Sequence, residues 1–130
     1  MATGLSSLQA NSILNELCNA GSWTVPTSFW VKLHTGDPGA AGTANSATNA
    51  TRQAASFSSA AAGAITTSAD ITWSSVSATE TYGYVSFWDA STGGVFLASD
   101  NLETARGVTA GDTFKIAAGD IDITLGAVAA

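Results

Sequence analysis

Apolar positions are densest between Thr81 and Asp100, which reads TYGYVSFWDASTGGVFLASD. Successive side chains of an extended strand point to opposite faces. Tyr82, Tyr84 and Trp88 therefore share one face, and Val85 and Phe87 the other. Large apolar groups on both faces predict a central strand, with core on one side and a second layer or a partner on the other. The run from Asp89 to Gly94 supplies a turn, since paired glycines accept positive φ. Val95-Phe96-Leu97-Ala98 then returns antiparallel.

A helical period occurs in one place. Leu5, Leu8, Ile13, Leu14, Leu17 and Cys18 recur mostly at three- and four-residue steps, predicting an amphipathic helix over 5–20 that lies against a sheet or a neighbour. Thr3 or Ser6 is positioned to cap its start, and Gly21 follows as a C′ residue. Cys18, within the apolar pattern, is expected to be a small buried hydrophobe.

Strand-like runs follow. In Ser28–Thr35, Phe29, Val31 and Leu33 oppose Trp30, Lys32 and His34, and Gly36-Asp37-Pro38-Gly39 is a turn. A short strand at 70–73 carries Ile71 and Trp73 inward, and Arg52–Ser58 is a candidate edge strand around Phe57. The Ala-rich stretch 60–67 fits either helix or strand, and 101–107 reads as a connection. Ala-Gly-Asp occurs twice, at 110–112 and 118–120, each time as a turn before an alternating run. Two antiparallel strands are expected there, with Ile121, Ile123 and Leu125 facing in. Short strands with turns between them give an all-β fold, a β-sandwich or barrel-like antiparallel domain over 28–125, with one N-terminal α-helix.

The stretch 40–51, AAGTANSATNAT, has the composition of a loop. An ordered loop of that length is expected to lie as an arm on its own sheet or on a neighbouring subunit.

Composition adjusts this picture. The chain of 130 residues fits a single domain, 1–130. Leu, Ile, Val and Phe make up only 26 of those residues, so the core is thin and neighbours are expected to add stability. The net charge is −6 with four scattered basic residues, which argues against nucleic acid and against anionic membrane surfaces as partners. No run approaches the ~18 apolar residues of a membrane span.

Little of the sequence points to chemistry. His34 is the only histidine, and no nucleophile elbow accompanies it, so a hydrogen-bonded or exposed strand-end role is expected. Asp120 and Asp122 share a strand face, a geometry that suits Ca²⁺ or acid–base work but fits a solvated surface as well. No catalytic residue, metal ligand or cofactor is expected, and the protein is expected not to be an enzyme. Trp30, Trp73, Trp88, Tyr82 and Tyr84 are expected to be core for the most part. An outward aromatic would mark a protein interface before a sugar site.

Three segments carry a family resemblance. WVKLHTGDPG (30–39), YGYVSFWDASTGGVFLASDNL (82–102) and VTAGDTFKIAAGDIDITL (108–125) resemble, in this order, a family of small virion proteins of tailed phages. The family is typical of siphophages of actinobacteria, and its members are labelled minor capsid, head decoration, tail or tail-fibre proteins. The chain departs from it at Asn45-Ser46, where an acidic residue is usual after the asparagine, and at Ala50, where an aromatic usually precedes Arg52-Gln53. The resemblance implies a structural component of the virion and brings no catalytic residues with it. With the acidity and thin core, it leads to a minor capsid protein made in the host cytoplasm that cements subunits on the capsid exterior. Its partners would be the major capsid protein and copies of itself. The alternative is a tail or tail-fibre component binding a host glycan. Candidate interface residues are Leu8 on the helix, Thr43 and Asn45 on the arm, and Trp30, Tyr82 and Tyr84 on the strands.

Overall fold

A computed structural model describes residues 4–125. Its centre is the predicted hairpin, here β6 (Glu80–Trp88) and β7 (Phe96–Val108). The others are β1 (Gly4–Leu5), α1 (Ser7–Cys18), β2 (Trp30–His34), β3 (Gln53–Ala54), β4 (Ala64–Thr66), β5 (Ile71–Trp73), β8 (Phe114–Ile116) and β9 (Asp122–Thr124). The main sheet has the order β1-β7-β6-β2-β3, so β6 is paired on both sides. Two short antiparallel ladders, β5 with β8 and β4 with β9, complete the strands. Among the described residues the domain is built of antiparallel sheets with a single helix, and no barrel closes, as the all-β reading anticipated. Among the described residues no helix is long and apolar enough to cross a membrane.

The core lies between the main sheet and the ladders. Val31, Leu33, Val85 and Phe87 from the sheet meet Ile71, Trp73, Phe114 and Ile116 from the β5–β8 ladder. Trp73 and Phe114 are paired across that ladder with ring centroids 5.8 Å apart. Removing these side chains from water is the main drive for closing the layers. At the hairpin turn Gly93 and Gly94 have φ of +59° and +73°, as paired glycines allow. The Asp89 carboxylate accepts the Val95 N–H at 2.7 Å and closes the turn.

Several strand expectations change. Residues 101–107 are not a connection; β7 runs through them to Val108. The strand absorbs this length through a bulge: Tyr82 pairs with Arg106, but Tyr84 pairs with Asn101. Two steps on β6 are thus matched to five on β7, and the alternation of faces breaks there. Tyr82 therefore does not share a face with Tyr84 and Trp88. It turns into the core, fully buried, with its ring edge-on to Phe114 at 5.0 Å. The two C-terminal strands are antiparallel ladder members, but they do not pair with each other. Each reaches back to a partner from the middle of the chain. The turns before them are alike. Thr109 and Ala117 donate their N–H to the carboxylates of Asp112 and Asp120, whose own N–H groups return to the carbonyls of Thr109 and Ala117. Ile121 is buried and Ile123 half-buried, whereas Leu125 is exposed, against the inward position expected of it.

The helix is shorter than its apolar pattern. Ser6 caps it, its hydroxyl accepting the Gln9 N–H, and its own N–H goes to the Leu97 carbonyl. Leu5 lies before the cap, in β1 opposite Ala98. At the far end Ala20 takes the left-handed conformation, and Gly21, expected there, lies one residue beyond. Of the helical residues only Gln9 is buried. Leu8, Leu14 and Leu17 are 58 %, 59 % and 79 % exposed. The helix thus lies against the sheet at β7 with Gln9 buried and Ile13 half-buried, while these leucines face away, and Cys18, expected to be buried, is exposed.

Candidate functional site

The second face of the main sheet is covered by the chain itself. After β2 the chain turns at Asp37, whose carboxylate accepts the Gly39 N–H at 2.8 Å, and the arm 40–51 folds back over the strands. Backbone bonds from Thr35 N–H to the Asn45 carbonyl and from Ala47 N–H to the Leu33 carbonyl continue the sheet along the edge of β2 beyond its short pairing with β3. The arm thus lies on its own sheet, one of the two positions expected, and it is the second layer that the two-faced β6 needed.

Beneath it sits a polar cluster. His34 and Ser86 are fully buried. His34 Nδ1 is 2.8 Å from the Ala44 carbonyl, which only accepts, so Nδ1 carries the proton. Its Nε2 is 2.7 Å from Ser86 Oγ and accepts the hydroxyl proton. Ser86 Oγ in turn accepts the Trp88 indole N–H at 2.8 Å. Every polar atom of the chain from indole to carbonyl is satisfied when His34 is neutral. Burial lowers the His34 pKa; the Ala44 bond opposes this, and the Lys32 charge adds to the lowering.

Charged groups pin the arm and the turn at the rim. Lys32 Nζ donates to Ser46 Oγ at 2.7 Å. Glu80 accepts the N–H groups of Thr48 and Asn49 at 3.0 and 3.2 Å. Burial works against the Glu80 charge, but these bonds prevail and hold its carboxyl below the usual range. The Tyr82 hydroxyl, beside that carboxylate, has its pKa raised by burial and by the Glu80 charge. Arg52 lies 4.0 Å over the Trp88 ring and donates at 2.7 Å to the carbonyls of both Ala90 and Gly93. It links the end of the arm to the central hairpin turn.

His34 and Ser86 have the spacing of a base and nucleophile, but both are sealed from solvent, and a carbonyl occupies the position of an orienting acid. Asp120 and Asp122 are exposed, as expected of a solvated face. They border an open cleft of about 350 Å³ with Asp100, Glu103 and Arg106. Among the described residues no group of three or more His, Cys, Asp or Glu has the geometry to hold a metal ion.

Of the predicted interface residues, Trp30, Tyr84, Thr43 and Asn45 come together on the arm-covered side. Trp30 pairs with Trp88 and His34 with Tyr84, which puts both aromatics on the face under the arm, each half-buried. Thr43 and Asn45 are exposed on the arm, and Asn45 Nδ2 anchors to the Asp37 carbonyl at 2.8 Å. Leu8 is exposed on α1. Tyr82 is wrong as an interface residue, because the bulge takes it into the core. Sequence reasoning missed Arg52, Glu80 and Ser86. A hint was present for Arg52, one of only four basic residues in an acidic chain and next to the arm.

The family described as Podophage GP4 fiber I protein gp80 matches residues 4–124, and the chain belongs to that family. It is a phage fibre family, a virion class, and its description names a podophage fibre where the resemblance pointed to siphophages and to the head. No curated protein matches the sequence.

Proposed function

We infer that the chain is a non-enzymatic structural subunit of a phage tail fibre. The observation that carries this reading is the fibre-family match, which spans nearly the whole described chain. The geometry supports a building unit over a catalyst, since its one Ser–His contact is closed to substrate. It also supports a building unit over a sugar-binding tip. Trp73, Trp88 and Tyr82 are buried, so they form no outward aromatic platform for stacking. Copies of itself and other tail proteins are the partners this role implies. Cementing of the capsid exterior, to which acidity and a thin core led, has less support, because the family description names a fibre.

The test is localisation. Gold-labelled antibody raised against the folded protein is expected to decorate tail fibres in electron micrographs. Particles made without it should adsorb poorly to host cells while releasing their DNA at an unchanged temperature. Label confined to the head, with earlier heat release of DNA, would reject the fibre role and restore the cementing one.

A further inference from the structure

We propose that the open side of the two layers is a docking groove for an extended segment of another protein, basic along one half and apolar along the other. On the β3 side the layers meet, β3 against β5. On the β7 side two open cavities, of about 350 and 370 Å³, lie between β7 and the strand β9 of the other layer. Phe87, Asp100 and Asp122 line both, so the two run together as one groove. Its floor reaches the core, where Val85, Phe87 and Ile121 line the first cavity and are buried side chains. The second is walled by Ile13, Phe29, Leu97 and Ile123, with Leu125 exposed at its lip. The Ile121 carbonyl and the Leu125 N–H bond to Thr67 and Gly63, at either end of β4. Alternation therefore turns the backbone groups of Asp122 and Thr124 to the other edge of β9, which carries no strand among the described residues. An extended segment can pair there while its side chains enter the groove.

Charge selects the occupant. Asp100, Glu103, Asp120 and Asp122 border the first cavity, and all four are exposed. Arg106 also lines it, but its guanidinium donates to the Lys115 carbonyl at 3.1 Å and lies over the Phe114 ring. A cationic segment is drawn to this half and an acidic one is repelled. The chain has no such segment to lend to a copy of itself. Its four basic residues are scattered: Lys32 is bonded to Ser46, Arg52 to the carbonyls of Ala90 and Gly93, and Lys115 to Asp70 at 3.2 Å. A different protein is therefore the fitting occupant. The apolar half is what calls for a protein segment, because a hydrated metal ion or a polyamine gains nothing from Ile13, Phe29 and Leu97.

The probe is a short fluorescent peptide with lysine at alternate positions in one half and valine at alternate positions in the other, added to the full chain. Binding is read in solution, so its failure leaves the fibre reading untouched, and the labelling above tests that reading separately. Anisotropy is expected to show saturable binding in the micromolar to millimolar range. A peptide with glutamate for lysine, or serine for valine, should bind more weakly. Glu103→Gln/Asp122→Asn should weaken binding of the original peptide about fivefold, the effect of losing two exposed ion pairs. Leu125→Ser should weaken it about threefold through lost apolar contact. These side chains are exposed, so the variants should keep the wild-type near-ultraviolet spectrum; Glu103→Gln alone serves if the double variant fails to fold. Amide shifts on binding should fall within 100–106 and 119–125 and leave the arm unmoved. No binding at millimolar peptide, shifts confined to other residues, or binding unchanged in folded variants would overturn the proposal. Binding that depends on the carboxylates but is indifferent to Leu125→Ser and to the valines would be charge attraction alone, and would overturn it as well.

Discussion

His34 and Ser86 stand 52 positions apart in the chain and meet at 2.7 Å, fully buried between the main sheet and the arm. The pair joins three pieces of the molecule: β2 through His34, β6 through Ser86, and the arm through the Ala44 carbonyl. A neutral imidazole satisfies all of them. An imidazolium would have to donate from Nε2 to Ser86 Oγ. The serine hydroxyl proton would then lose its acceptor, since Trp88 also donates to that oxygen.

Stability should therefore fall with acid. The His34 pKa is lowered in the folded state from its usual 6.5, so folding favours the neutral form. That contribution is complete above about pH 6.5 and is lost as pH falls from there toward the folded pKa. Urea midpoints between pH 8 and pH 5 should be level at first and then decline. His34→Ala should lose roughly 1–3 kcal/mol at pH 8, by stranding buried polar groups, and should flatten the decline. An equally steep decline in the variant would assign it to other groups.

Trp88 is 7 % exposed and carries Arg52 over its ring. Trp88→Ala should destabilise by roughly 3–5 kcal/mol in urea unfolding, as for a large buried aromatic. Arg52→Met keeps much of the packing and loses the two carbonyl bonds, so about 1–2 kcal/mol is expected. A loss below about 1 kcal/mol for Trp88→Ala would mean that the arm does not cover this face in solution.

Much of this architecture was legible. Apolar groups on both sides of the 81–88 run required a second layer, and the loop composition of 40–51 supplied one. The repeated Ala-Gly-Asp signals gave two like turns. The failures have physical causes. Strict alternation put Tyr82 beside Tyr84, and only a bulge that matches two steps of β6 to five of β7 reverses it; the one local hint is Gly83, a strand glycine of the kind that marks bulges, between the two tyrosines. In the helix, periodicity located the apolar positions but not which side meets the sheet. Gln9, a polar residue, is the buried one, while Leu14 and Leu17 face out. Partners distant in sequence, such as Glu80 for Thr48, leave no local pattern.

Two glycines separate backbone strain from packing. Gly42 has φ of +69°, and a Cβ there would run into the Phe96 ring. Gly93 has φ of +59° but faces open space. Gly93→Ala should cost about 1 kcal/mol for the left-handed backbone alone. Gly42→Ala should add an overpacking penalty of about 1–3 kcal/mol. Equal losses in thermal or urea unfolding would show that the arm yields freely above Phe96.

Glu80 tests how the arm is held at its far end. Its carboxylate accepts two adjacent backbone N–H groups, at Thr48 and Asn49, and these bonds keep its pKa below the usual 4.5. A carboxyl with a depressed folded pKa contributes stability that is present above the unfolded value and is lost as pH falls through the folded one. The Glu80 tether should therefore act at neutral pH and fail as pH falls through its folded pKa, below the usual 4.5. Glu80→Ala at pH 7 should free the Thr48 and Asn49 amides. Hydrogen exchange at 48 and 49 should then speed up, while the amides of β6 opposite β2 stay protected, because local opening need not involve the core. Glu80→Gln keeps an acceptor without the charge and should fall between the two. Below the folded pKa of Glu80, wild type and Glu80→Gln should exchange alike at these amides. If Glu80→Ala leaves exchange at 48 and 49 unchanged at pH 7, the other contacts of the arm suffice to hold it, and the carboxylate is not a tether.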